Sequence, residues 1–106
     1  MEISPPELAE RLRRGERLFL LDVRQPWEHQ LAHLPDQALI PLPELQGRID
    51  EVDPPEGAQI VCYCHHGVRS LTAAALLREA GFPDALSLAG GIELWSRTVD
   101  PAVLRY

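Results

Sequence analysis

Residues 64–70 read Cys-His-His-Gly-Val-Arg-Ser, which puts a thiol, two imidazoles, a guanidinium and a hydroxyl in one short stretch. The apolar run Gln59–Tyr63 stands directly before it, and Leu71-Thr-Ala-Ala-Ala-Leu-Leu directly after it. A nucleophile thus falls where a buried strand gives way to a helix. At such a place backbone N–H groups converge on one point, and the helix dipole adds partial positive charge. A thiolate is favoured over a thiol there, and a bound anion would be held by the same donors. Gly67 lets the loop bend inward without a side chain in the way. Arg69 can pair with an anionic substrate or with an acidic neighbour. This arrangement suits attack by the Cys64 sulfur on an anionic substrate, through a covalent intermediate. The plain alternative is an inert buried Cys at a strand end. The combination of strand, Cys, Gly, Arg-Ser and helix argues against it; a Cys alone would not.

The rest of the loop reads with less contrast. His65 and His66 are either exposed residues that tolerate the turn, or imidazoles that when charged favour the thiolate and attract an anion. Gly67, Val68, Arg69 and Ser70 supply the N–H groups of a substrate pocket. Asp22 and Arg24 follow the run Leu18–Leu21 and are expected to brace the loop, with Arg24 also near enough to a strand end to meet substrate. Glu28 is the candidate partner for Arg69. His33 is expected to close a turn before Pro35, and Trp27 and Trp95 to serve packing. Cys62 lies inside the apolar run and is expected to face the core. Cys62, Cys64, His65 and His66 have soft-metal ligand types, but that strand position argues against a preformed site, so no metal is expected.

The elements that position these residues are legible from spacing. Ser4, Pro5 and Glu7 open a helix in capping-box order, Leu8 and Leu12 share its face, and Gly15 ends it. Leu18–Val23 has the length and apolarity of a strand. Pro26–Leu31 reads as one or two helical turns, and Ala38–Ile40 as a short strand. Leu42, Leu45 and Ile49 predict a helix over 42–51 despite Gly47. Asp53-Pro-Pro-Glu-Gly57 is a turn cluster, and Gln59–Tyr63 a second buried strand. Leu71, Ala74, Ala75 and Leu77 mark the apolar side of a helix over 69–80, stopped by Gly81. Ala85–Leu88 is a short strand, Ala89-Gly-Gly91 a tight turn, and Ile92 starts a last short helix. Alternating strands and helices predict an α/β fold with a mostly parallel central sheet and helices on both faces. In such sheets ligands bind beyond the carboxyl ends of the strands, where Asp22–Arg24 and the Cys64 loop both fall.

Composition narrows the function classes. The chain has 106 residues, the size of one domain, 45% of them hydrophobic and 25% charged. All ten basic residues are Arg, against 16 acids, for a net charge of -6. An acidic chain is a poor nucleic-acid binder, so no nucleic-acid partner is expected. The charge is uneven: residues 31–60 hold six acids and one Arg, while residues 61–106 hold four of each. The half with the Cys64 loop is thus neutral, and anion binding there is expected to be salt-sensitive. Two cysteines one residue apart make no disulfide framework. The N-terminal stretch lacks the apolar core of a signal peptide, and no run is long enough to span a bilayer. A cytoplasmic protein without a membrane partner is the expectation.

Four segments in order resemble the rhodanese family of sulfurtransferase domains, over almost the whole chain. Leu20-Leu-Asp-Val-Arg-Gln-Pro-Trp-Glu28 is similar to the family's Asp-Val-Arg segment with its following Glu. Ala32-His-Leu-Pro-Asp-Gln-Ala38 is similar to its Gly-His-Ile-Pro-Gly-Ala segment, with Ala32 and Asp36 where Gly is usual. Ile60–Ser70 resembles the active-site loop, with Cys64 at the nucleophile, and Leu88–Trp95 the Gly-Gly-x-x-x-Trp segment. The resemblance implies a rhodanese-like three-layer domain over residues 1–106. It implies a sulfurtransferase without a cofactor: Cys64 takes sulfur from an anionic donor such as thiosulfate and holds it as a persulfide. A thiol, cyanide or a partner protein then accepts it. The loop lacks the multiple cations of strong thiosulfate users. A partner-dependent sulfur-carrier or interaction module is the alternative. A Cys-based phosphatase is less favoured, because that class separates Cys and Arg by five residues, and here only His65, His66, Gly67 and Val68 intervene.

Overall fold

The computed structural model describes residues 1–106. Its centre is a five-stranded sheet, β1 (Glu2–Ile3), β2 (Leu18–Asp22), β3 (Ala38–Leu39), β4 (Gln59–Tyr63) and β5 (Leu86–Leu88). The strand order is β1-β5-β4-β2-β3, and every pairing is parallel. The helices are α1 (Pro5–Arg13), α2 (Pro26–Leu31), α3 (Leu42–Leu45), α4 (Val68–Glu79) and α5 (Gly91–Thr98).

Strand alternation builds the two outer layers. Phe19, Leu21 and Val23 point to the same face as Ile60, Cys62 and Cys64, and there they meet Leu45 of α3 and Ala73 and Leu77 of α4. Leu18, Leu20, Val61 and Tyr63 point the other way, onto Leu8 of α1 and Ile92 and Trp95 of α5. A parallel strand covered on both faces is near-continuously apolar, which is why Leu18–Leu21 and Ile60–Tyr63 read as unbroken runs, with the buried Asp22 at the end of β2 paired to Arg24. The α/β architecture expected above is therefore present.

Local differences have local causes. Strand β1 escapes the sequence reading because two residues carry no periodicity; it exists only through pairing with Ser87 and Leu88. The helix expected over 42–51 is a single α turn continued as a 3-10 helix over Gln46–Glu51, with Arg48 at φ -121°, ψ 23°. Gly47 supplies too little helix propensity to carry the α form through. On α4 the buried side is Ser70, Ala73, Ala74 and Leu77, while Leu71 is exposed and Ala75 only partly covered. Trp95 is buried, whereas Trp27 is exposed. At α1 the Ser4 hydroxyl accepts the Glu7 N–H at 3.2 Å, as the capping signature requires. No helix is long and apolar enough to cross a membrane.

Candidate active site

Register brings the two polar strand ends together: Asp22 pairs with Tyr63, so Val23 and Cys64 leave the sheet side by side, with Arg24 next in the chain. Between Tyr63 and α4 the chain turns through Gly67, whose φ of +97° only glycine adopts readily. A Cβ there would lie 3.0 Å from the Gly90 nitrogen and 3.3 Å from the Leu88 carbonyl oxygen. The loop thus rests on the Ala89–Gly91 turn. The carbonyls of Cys64 and His65 accept the N–H groups of Ile92 (2.9 Å) and Glu93 (3.1 Å) in the first turn of α5. The orphan donors of one helix therefore hold the loop that opens another.

Cys64 is 1% exposed. Its Sγ accepts the N–H groups of Gly67 (3.1 Å) and Ser70 (3.3 Å). The Ser70 hydroxyl lies 3.4 Å from the same sulfur and 2.8 Å from the hydroxyl of Ser87 on β5. The N–H groups of His65, His66, Val68 and Arg69 make no hydrogen bond within the chain, so the loop and the first turn of α4 keep four unspent donors. Cys62, two residues earlier on the core-facing side, has no such donors. Burial, with a smaller contribution from the Cys64 charge, pushes its thiol up to about 12, and it stays inert at neutral pH. Both cysteines are free.

Arg69 grips Glu28 of α2 with two bonds, Nη1 to Oε1 at 2.7 Å and Nη2 to Oε2 at 2.9 Å. The Tyr106 hydroxyl donates to Glu28 Oε2 at 2.8 Å and accepts from Arg24 Nη1 at 2.8 Å. Arg24 is fully buried; it binds both oxygens of Asp22, at 2.9 and 2.7 Å, and the Ala32 carbonyl at 2.7 Å. Its guanidinium is thus committed to Asp22, Tyr106 and backbone carbonyls. His65 lies between the rings of His66 (3.9 Å) and Tyr106 (4.0 Å). Burial, then the neighbouring His66, lowers its pKa, so the ring is neutral at neutral pH. His66 and Val68 are exposed at the loop tip.

Ser87 and Tyr106 were not singled out from the sequence. A lone Ser within the apolar run Ala85–Leu88 was a usable signal for Ser87. Nothing in spacing ties Tyr106 to Arg24, 82 residues away.

The Arg69 grip holds the Glu28 carboxyl down at about 2, from 4.5, against the opposing effect of burial. A carboxyl depressed on folding contributes stability that is complete above its unfolded pKa and lost as pH falls through its folded one. That window runs from 4.5 down to about 2. Urea unfolding at stepped pH should therefore show Glu28→Gln well below the parent at pH 7, with the gap closing toward pH 2. An equal gap at both ends would show that the ion pair is not the source.

The fold and the loop define a rhodanese-type domain, and comparison with known proteins agrees: the chain belongs to the Rhodanese-like domain family, which it matches over residues 4–98. It is 39% identical over 94 residues to the thiosulfate sulfurtransferase GlpE of Pseudomonas syringae, covering 89% of this chain and 86% of that one. It is 38% identical over 104 residues to a probable adenylyltransferase/sulfurtransferase, MoeZ, of Mycobacterium tuberculosis, covering 98% of this chain. The chain spans only 26% of that relative's length. A crystal structure of a rhodanese-related protein from Thermoplasma volcanium superposes with a TM-score of 0.82 at 26% identity, covering 99% of this chain and 98% of that one. The family, the fold and the sulfurtransferase class expected from the sequence are borne out by these relatives.

Proposed function

We propose that residues 1–106 act as one sulfurtransferase domain in which Cys64 is the nucleophile. The observation that carries this is the convergence of Gly67 N–H and Ser70 N–H on a single buried sulfur, with the Ser70 hydroxyl oxygen beside it at 3.4 Å. The Cys64 thiolate attacks the outer sulfur of a donor such as thiosulfate. The donor's S–S bond breaks, sulfite leaves with the electron pair, and Cys64 carries a persulfide. Cyanide, a small thiol or a partner protein's thiol attacks the outer sulfur, and the Cys64–sulfur bond breaks to restore the thiolate. His65, His66, Gly67, Val68, Arg69 and Ser70 supply the pocket, chiefly through unpaired loop N–H groups that hold the terminal negative sulfur. Asp22, Arg24 and Glu28 support it from behind. The cycle consumes neither a metal nor an organic cofactor, and it suits the reducing cytoplasm, where the thiolate survives.

Two features separate this site from phosphoryl transfer. The loop has four residues between Cys64 and Arg69, too few to wrap a tetrahedral phosphoryl group. Arg69 spends both terminal nitrogens on Glu28, so its charge is already paired with a carboxylate. The same pairing leaves the pocket without a free cation, which favours a sulfur donor of low charge, or one delivered by a protein, over free thiosulfate.

Mass spectrometry tests the reading. Incubation of the reduced chain with thiosulfate should add one sulfur at Cys64, and cyanide should remove it. A chain that gains no sulfur from thiosulfate or from a small-molecule persulfide would overturn it.

A further inference from the structure

A second group of ligating side chains lies outside the Cys64 loop. His29 sits in the last turn of α2, His33 follows four residues later, and Asp36 lies in the connection to β3. Their rings and carboxylate converge: the two imidazoles stack at 4.3 Å, and Asp36 Oδ2 is 3.6 Å from His29 Nδ1 and 3.8 Å from His33 Nδ1. One ligand atom from each residue lies within 4.8 Å of the others. Donors around a tetrahedral ion at about 2.0 Å stand about 3.3 Å apart, so small rotations, chiefly of the exposed His33, complete such a set. We propose that His29, His33 and Asp36 form a binding site for one divalent transition-metal ion of the zinc class.

The surroundings fit that assignment. The Tyr63 hydroxyl donates to Asp36 and orients the carboxylate, the role outer partners play around metal ligands. Asp22, locked by Arg24, holds His29 Nδ1 at 2.9 Å, which keeps the ring beside Asp36 until an ion takes that nitrogen. The His33 side chain is 53% exposed and that of Asp36 only 9%, so the site has a solvent entry on one side and a held carboxylate on the other. Two imidazoles with one carboxylate select zinc-class ions over magnesium or calcium, which prefer all-oxygen sets. Three protein ligands leave a fourth position for water. Without the ion, His29 Nδ1 donates to Asp22 and His33 Nδ1 donates to the Leu34 carbonyl at 2.7 Å. Binding moves each proton to Nε2 and replaces those two hydrogen bonds with metal bonds. Asp36 stands where the rhodanese pattern usually has Gly, so this donor set is a property of this chain.

Cobalt(II) titration of the full chain, followed by absorption, with zinc competition, tests the proposal. The background is Cys64→Ser, which removes the reactive thiol of the loop as a rival ligand. One cobalt per chain should bind, with visible ligand-field bands and no thiolate charge-transfer band, and zinc should displace it. His33→Ala and Asp36→Asn should each weaken binding by roughly tenfold or more. His33 is exposed, so its variant reports binding without a folding defect. No saturable binding, or binding unchanged by both substitutions, would overturn the proposal. So would binding that appears only when Cys64 is present.

Discussion

Cys64→Ser should abolish sulfur transfer and leave the fold intact. Serine is close to isosteric with cysteine, and its hydroxyl would meet the same donors, Gly67 N–H at 3.1 Å and Ser70 N–H at 3.3 Å from the present sulfur. No buried polar atom is stranded, so the thermal midpoint should move by only a few degrees, for a stability change of about 1 kcal/mol or less. Chemistry has no such substitute. An alkoxide is not accessible at neutral pH, and an oxygen cannot relay a sulfane sulfur. Turnover with thiosulfate and cyanide should fall by on the order of a thousandfold or more, the scale seen when an activated nucleophile is removed. Transfer at the parental rate by a well-folded variant would remove Cys64 from its assigned role.

Gly91→Ala should be the most damaging small substitution near the site. Gly91 has φ +62°, and an added Cβ would run into the backbone carbonyls of both Cys64 and His65. Those carbonyls are held by Ile92 and Glu93, so neither can retreat without breaking a bond to α5. Left-handed backbone costs an alanine about 1 kcal/mol, and a collision with backbone adds more, for a total of about 2–4 kcal/mol. Gly15→Ala is the control: Gly15 has φ +80° with nothing within 4 Å of a Cβ, so only the backbone cost applies. Denaturant unfolding should place Gly91→Ala well below Gly15→Ala, and sulfur transfer should drop in the former alone. Equal losses in both variants would show that the loop is not wedged against α5.

Much of this was legible before any coordinates. Continuous apolar runs at Leu18–Val23 and Gln59–Tyr63 announce strands covered on both faces, because a parallel strand has no solvent side. Gly67 and Gly81 mark where α4 can begin and end, and the Cys64 stretch declares its chemistry by residue type. The helix over 42–51 was overdrawn for the opposite reason. Apolar spacing at Leu42, Leu45 and Ile49 is compatible with both α and 3-10 winding, and Gly47 tips the outcome. Glu28 was a reasonable partner for Arg69, but a charge pair 41 residues apart becomes definite only when α2 and α4 meet.

What the amino-acid sequence determined by itself is the order of elements after β1, the family and the stretch in which the reactive side chains lie. These rest on local pattern: burial periodicity, turn residues and a short run of reactive side chains. Tertiary structure decided what each charge does. It paired Arg69 with Glu28, sealed Arg24 against Asp22 and Tyr106, and set Ser87 behind Ser70. It also gathered His29, His33 and Asp36 around one point. Side-chain pairing depends on which strand ends and helix ends share an edge. That is a property of sheet order β1-β5-β4-β2-β3, which no local pattern encodes.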